Sequence, residues 1–512
     1  MASTLDTLFP TPSLSPSRIS PVVWPGSAPE SVEALREVLK DNHVKWHIFF
    51  NDDRFHNHSA HHALAIWALG AAGPIIKAAY EVDAKTQRPL YKSPGEITHE
   101  NWMKHLGDET YYDAYLRFFT DVVQKQGTAA SLQHYLFSHQ ANVGAQGNDE
   151  EHPNMLNRLH SGLLHPLIHT GYGVEFGLPG MVVEGLAQTA VHKTNIDGLI
   201  PASSFETGVS EAIDNVMSRF SSILALNPLN ATPVVPSGVH AFTVIARITK
   251  DTQFDGLEPE KKLKHTLTKH GEAIRDYASQ WSIDTTDPKG IEAKIEELAW
   301  TIVLLYGVSG WSEDKDFYAD FLLMHLVTSS LFLSSMVAYL TPASQVLLLR
   351  TYFSTVLGWW ITRGRPGFNI HSFYTHHDEH SDLAYPIPPG AKPTPAKGTL
   401  PDPSSPYAIT PNPWLPILES AAVHRDDHLP KIQRALAHYA SIYGTRSAGM
   451  PDFERTELPD ADKLDGSLFL RVAGLTAKRM GRVRNGEKEG EFWDTDAVTD
   501  VNMEHAGQSA RL

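Results

Sequence analysis

Three observations predict an all-α fold, a large multi-helix single-core enzyme, for this 512-residue chain. Apolar residues recur every three or four positions along a dozen segments. Alternating strand-like patterns are scarce, and none enters a strand–helix–strand rhythm. The densest proline run reads as a surface excursion or lid and not as a helix.

Taken in order, residues 1–26 are rich in Pro, Ser and Thr and read as an irregular N-terminal arm. Ser27-Ala-Pro-Glu30 then reads as a capping box with proline in the first turn, followed by the stripe Val32, Leu35, Val38 and Leu39. Further helical patterns cover 58–72, 112–126, 153–170, 179–194, 208–225, 261–282, 290–306, 316–340, 343–362, 413–425, 428–443 and 467–480. Within 153–170, Pro166 lacks a donor and presses on the carbonyl of Gly162, so a kink is expected there. One helical domain is expected over 27–480. It is interrupted by a surface loop or lid at 386–416, where eleven prolines fall in thirty-one residues. The tail, 481–512, is charged and dotted with glycine.

The segment Phe321–Leu349 carries no Asp, Glu, Lys or Arg, yet His325, Thr328 and several serines interrupt it and Pro342 breaks it. It reads as a buried core helix, not a membrane span. A formal net charge of −16 argues against nucleic acid and anionic membrane as partners. With no cysteine, disulfides, iron–sulfur clusters, thiolate-ligated haem and cysteine nucleophiles are excluded. The start lacks a basic region followed by an apolar one, so an intracellular location is expected. Cytosol is the first expectation, with the C-terminal Ala510-Arg-Leu512 imitating a peroxisomal address.

Several motifs fail. Gly171-Tyr-Gly173 has its next glycine at Gly177 and no strand before it, so it is not a dinucleotide fingerprint. Gly481 to Lys488 has a glutamate where a phosphate loop needs lysine. Neither a G-x-S-x-G elbow nor an H-E-x-x-H zinc motif occurs, and Glu96-x-x-His99 is one copy of a di-iron pattern that needs two.

Histidine is the outlier. Of 27, six lie between His43 and His62 and four between His371 and His380. His58 and His62 fall one helical turn apart, as do His165 and His169, so each pair presents two imidazoles on one face. His325 stands alone among Leu and Met. His371-Ser-Phe-Tyr-Thr-His376-His377-Asp378-Glu-His380 holds His-x-Asp and His-Asp pairs. Without thiolates, imidazole and oxygen donors suit Fe, Zn, Mn, Cu or Ni. Three or more imidazoles with an open position suit non-haem Fe(II) or catalytic zinc. Trp67, Tyr172, Trp359, Trp360, Phe368, Phe373 and Tyr374 are near these clusters in sequence; they either line a flat pocket for a planar substrate or, more commonly for such residues, belong to the core.

The runs HNHSAHHALAIWALGA (56–71), LLHPLIHTGYGVEFG (163–177), DFLLMHLVTSSLFL (320–333) and DGSLFLRVA (465–473) resemble the questin oxidase-like family of fungal aromatic polyketide metabolism. The resemblance covers about residues 45 to 495. It implies a helical, non-haem iron-dependent oxygenase that opens a ring of a hydroxyanthraquinone with O₂, or performs a Baeyer–Villiger-like step on a related polyketide. It implies Fe(II) as cofactor, with metal ligands His58, His165, His169, His325 and a fifth at His377, and His62 in reserve. The family pattern places a lysine near position 377, whose carboxylated form donates oxygen; here the residue is His377. The rival readings are a Zn/Mn hydrolase using His377-Asp378, a NADPH-assisted Baeyer–Villiger oxidase, and a helical binding protein.

Overall fold

The computed structural model describes residues 2–13, 15–144, 152–196, 198–205, 238–284, 287, 289–376, 383–490 and 492–495. Among these the chain is helical with no strand, only three isolated bridges such as Asp320–Asp494. The helices of six residues or more are α1 Ala2–Leu8, α2 Pro29–Lys45, α3 Ser59–Ala68, α4 Gly73–Asp83, α5 Tyr112–Leu132, α6 Met155–His160, α7 His165–Phe176, α8 Pro179–Val191 and α9 Ala241–Lys250. They continue as α10 Leu263–Gln280, α11 Gly290–Val303, α12 Phe321–Ser330, α13 Pro342–Thr362, α14 Ile370–Thr375, α15 Trp414–Ala422, α16 His428–Tyr443 and α17 Leu468–Met480. The expected helix at 208–225 lies outside the described residues.

One apolar cluster runs from Leu8 to Trp493 and unites these helices. At its centre α7 and α8 form a tight hairpin. A methyl group on Gly173 would lie 2.7 Å from the Val182 backbone nitrogen, and one on Gly185 would lie 2.8 Å from that of Thr170. Glycine at both positions is what lets the two backbones approach so closely. Helix α7 is buried along its whole length, so its sequence reads as apolar all round with histidines inserted.

Four expectations are corrected. The arm expected to be irregular opens with helix α1, which packs on α8. The N-cap of α2 is Ala28, not Ser27; the hydroxyl of Ser31 accepts from the Ala28 N–H, so half the expected box forms one residue late. The expected kink at Pro166 is a full break. Gly162, Leu163 and Leu164 adopt positive φ and separate α6 from α7, leaving Pro166 in a first turn that needs no donor. Finally, the expected helix 316–340 divides into α12, a short turn of helix at Leu333–Met336 and a 3₁₀ turn at Val337–Tyr339. Its stretch Phe321–Tyr339 is apolar and long enough to cross a membrane, and the fold buries it.

Candidate metal centre

Four helix starts converge on the histidines. His58 immediately precedes α3, His165 opens α7, His428 opens α16, and His325 stands one turn into α12. The start of α12 is fixed by Asp320. Its Oδ1 accepts the Leu322 and Leu323 N–H at 2.9 Å each, and its Oδ2 accepts from Arg363 Nε at 2.7 Å. Gly162, in the turn before α7, has φ +56°, and a methyl group there would strike the His192 ring.

The rings touch. His165 stacks on His56 at 4.1 Å and on His58 at 4.8 Å between centroids, and lies 4.9 Å from His325. His428 is 4.9 Å from His58 and 5.1 Å from His325. Ligand atoms of His56, His58 and His165 lie within 4.8 Å of one another, as do those of His58, Asp427 and His428.

Hydrogen bonding fixes which way the lone pairs point. Carboxylate and carbonyl oxygens only accept, so a ring nitrogen facing one must carry the proton. His58 Nδ1–H donates to Asp427 Oδ2 at 2.9 Å. His165 Nδ1–H donates to the Gly162 carbonyl at 2.6 Å, and His325 Nδ1–H to that of Phe321 at 2.7 Å. His192 Nδ1–H donates to the Lys193 carbonyl at 2.7 Å, so its Nε2 accepts at 3.2 Å from His56 Nε2–H, leaving the His56 Nδ1 lone pair free. Every proton points outward. The Nε2 atoms of His58 and His165 then face each other at 2.7 Å with no proton left between them, and His325 Nε2 is buried without a partner.

Electrostatics keep these rings neutral. Burial pushes His56, His165 and His325 well below the ordinary imidazole value, and neighbouring histidines add to the shift. Burial, then the Lys431 ammonium, lowers His58 to about 4 despite Asp427. Burial would raise Asp427, but His428, Lys431 and His58 beside it outweigh that and hold it well below the carboxylate range. Lys431 Nζ donates to Asp427 Oδ2 at 2.7 Å, and both groups are largely enclosed.

Of the residues expected as ligands, His58, His165 and His325 are brought together. His169 is placed in a neighbouring network: Nε2–H donates to Glu184 Oε2 at 2.7 Å, and Nδ1 accepts from His61 Nε2 at 2.9 Å. His43 holds the other Glu184 oxygen at 2.6 Å. Burial would raise Glu184, but these two histidine bonds bring it to about 2. His62 turns to Asp83 at 2.9 Å. His377 and Asp378 lie outside the described residues. The aromatic expectations divide likewise. Tyr172 stacks on His61 at 5.4 Å, whereas Trp360 and Phe368 stack on each other and Phe373 and Tyr374 pack round Arg471.

Sequence reasoning missed His192, Asp427, His428 and Lys431. The signal for the last three was Asp426-Asp-His-Leu-Pro-Lys431 at the start of the helix expected over 428–443, where two aspartates also read as ordinary capping.

The family model described as questin oxidase-like matches residues 55–436, a span that holds every histidine of the cluster. A Baeyer-Villiger monooxygenase of Cryptosporiopsis sp. is 28% identical over 69% of this chain and 74% of its own. A Baeyer-Villiger oxidase of Pestalotiopsis fici is 24% identical over 87% of each. The questin oxidase of Aspergillus terreus is 24% identical over 79% of this chain and 80% of its own. The chain therefore belongs to the questin oxidase-like family and is an enzyme of the oxidase or oxygenase type.

Proposed function

We propose that this chain is a mononuclear non-haem iron oxygenase that opens a ring of a hydroxyanthraquinone-type aromatic polyketide, with O₂ as oxidant. The single observation behind the iron is the pair of inward lone pairs on His58 and His165 at 2.7 Å. Two bare lone pairs at that distance repel, and a cation between them removes the repulsion. Nitrogens each about 2.1 Å from one ion and at right angles to it lie roughly 3 Å apart, close to what is seen. The outward protons on carboxylate and carbonyl are the supports that orient metal-bound imidazoles. The donor set is imidazole and oxygen without sulfur, which suits iron(II).

His58, His165, His325 and His56 would hold the ion, with Asp427 and His428 on the adjoining edge. Bound there, iron(II) supplies the one-electron chemistry that lets O₂ react with a closed-shell ring. The protein's own residues bind and orient. His428 Nε2 has no partner, and its Nδ1 sits 3.4 Å from Asp427 and 3.5 Å from Asp426, so it is placed to take a phenolic proton.

The relatives named for Baeyer–Villiger chemistry favour a second reading, single-oxygen insertion. That route reduces the other oxygen atom to water and needs a two-electron donor such as NADPH; ring opening that keeps both atoms needs no external donor when the hydroquinone form of the substrate supplies the two electrons. The test is O₂ uptake by iron-loaded protein with the hydroquinone form of a hydroxyanthraquinone, with and without NADPH. Uptake matched to ring loss without NADPH supports ring opening, and strict NADPH dependence supports insertion. No uptake under either condition overturns both.

A further inference from the structure

We propose that Phe492 and Phe321 form an aromatic doorway that admits a flat fused-ring substrate to the histidine cluster and selects for it. This inference rests on the ring-oxidising function proposed above and adds the residues that recognise the ring. Phe492 is 50% exposed and packs, tilted, on the half-buried Phe321 at 5.8 Å between centroids, with 32° between their planes. Phe321 in turn meets His325 edge-on at 4.6 Å and His428 at 5.1 Å. The two phenylalanines thus make a continuous aromatic path from solvent to the two site histidines whose Nε2 atoms lack partners.

The exposure of Phe492 is held in place by its neighbours. The Phe321 N–H donates to the Asp494 carbonyl at 2.9 Å, and the Asp494 N–H donates to that of Ala319 at 2.9 Å. Asp494 also takes a salt bridge from Arg479 at 2.8 Å and accepts the Ala319 N–H at 2.9 Å. Trp493, buried, donates its indole N–H to both Asp426 oxygens at 3.1 Å. A chain segment anchored at Trp493 and Asp494, directly after Phe492, has no need to leave a large apolar ring in water, although an isolated exposed phenylalanine would be unremarked. This one packs against the ring that touches His325 and His428, and half of it remains exposed. A fused aromatic ring offers an offset-stacking partner of matching flatness, and a single ring offers much less area.

The test measures equilibrium binding of a dihydroxyanthraquinone and of resorcinol to iron-loaded protein, by the absorbance change of each ligand. Phe492→Ala is expected to weaken anthraquinone binding about three- to tenfold, to leave resorcinol binding unchanged, and to keep iron content and melting temperature. Phe492→Trp should restore the anthraquinone affinity. If the wild-type chain binds the anthraquinone and Phe492→Ala binds it equally well, the doorway is wrong while the proposed function stands. If Phe492→Ala loses iron or melts earlier, Phe492 is structural and the doorway is again wrong. If the wild-type chain binds no anthraquinone, the proposed function falls and the doorway with it.

Discussion

The Nε2 atoms of His58 and His165 lie 2.7 Å apart although the Nδ1 protons of both rings are already committed, one to Asp427 and the other to the Gly162 carbonyl. In the metal-free protein this contact is unfavourable unless one ring takes an extra proton, which burial opposes. Removing one ring should therefore cost the protein its metal without costing it its fold. His165→Ala is expected to bind no iron and to melt, metal-free, at or above the wild-type temperature. Saturating Fe(II) should raise the wild-type melting point, since a ligand at 100 times its Kd adds about 2.7 kcal/mol, and should leave the variant unmoved. A variant that unfolds while still retaining metal would make His165 a structural residue.

Asp427 carries two duties that can be separated. It orients His58 and it neutralises the enclosed Lys431. Asp427→Asn is expected to weaken metal binding about 10- to 100-fold, the usual effect of losing such a support. It should also destabilise the fold by about 3–5 kcal/mol, because Lys431 is left buried and unpaired. Adding Lys431→Met should recover most of the stability and none of the metal affinity, as read by denaturant titration alongside a metal-binding isotherm. Recovery of both would mean that Asp427 acts only through Lys431.

Acid should destabilise the metal-free protein well above the carboxylate range. Burial holds His160, His192 and His438 at about 4 in the fold, against 6.5 in an unfolded chain. Between those values the unfolded chain binds protons that the native chain does not, so stability is full above pH 6.5 and falls as pH drops towards 4. Each such group contributes a slope of up to about 1.4 kcal/mol per pH unit. Urea midpoints at pH 7 and pH 5 check this, and His438→Gln should flatten the slope by one group's share. A midpoint independent of pH over that window would contradict it. Metal affinity should fall in the same direction, because protons compete for the same lone pairs.

Away from the centre, the ion pair of Arg434 with Glu175 is enclosed on both sides, and the guanidinium lies over Tyr172 and Phe176 at 5.8 and 5.2 Å. Arg434→Met alone should cost about 3–5 kcal/mol, since it strands a buried carboxylate. The double variant Arg434→Met with Glu175→Gln should recover at least half of that. Thermal melts of the three proteins decide; equal losses in single and double variants would mean that packing on the aromatic rings, not charge, dominates.

How much of this was legible in the sequence depended on the kind of signal. Helix α16 was legible as 428–443 and α13 as 343–362, since their apolar stripes span the observed lengths and a proline, Pro430 or Pro342, sits in each first turn. Helices α4 and α9 were not, because Gly73-Pro74 reads as a turn and Ala241–Lys250 is short. His58, His165 and His325 were legible as ligand candidates because imidazoles on apolar helices are conspicuous. Their partners were not, for three physical reasons. Residues one turn apart share a helix face, but His165 sits in the first turn and His169 a turn deeper against Glu184, so the two enter different networks. Similarly His62 finds Asp83, a residue of the next helix that no local spacing could indicate. Asp427 and His428 reach the centre through the packing of α16 on α3 and α12, which the sequence does not display.

The central claim is that the converging imidazoles hold one iron ion, and metal analysis of protein purified without contact with nickel resin tests it most directly. Wild-type chain reconstituted anaerobically with Fe(II) and desalted should retain close to one iron per chain, while His58→Ala and His165→Ala treated identically should retain close to none. Wild-type chain that retains no metal, or variants that retain as much as the wild type, would contradict it.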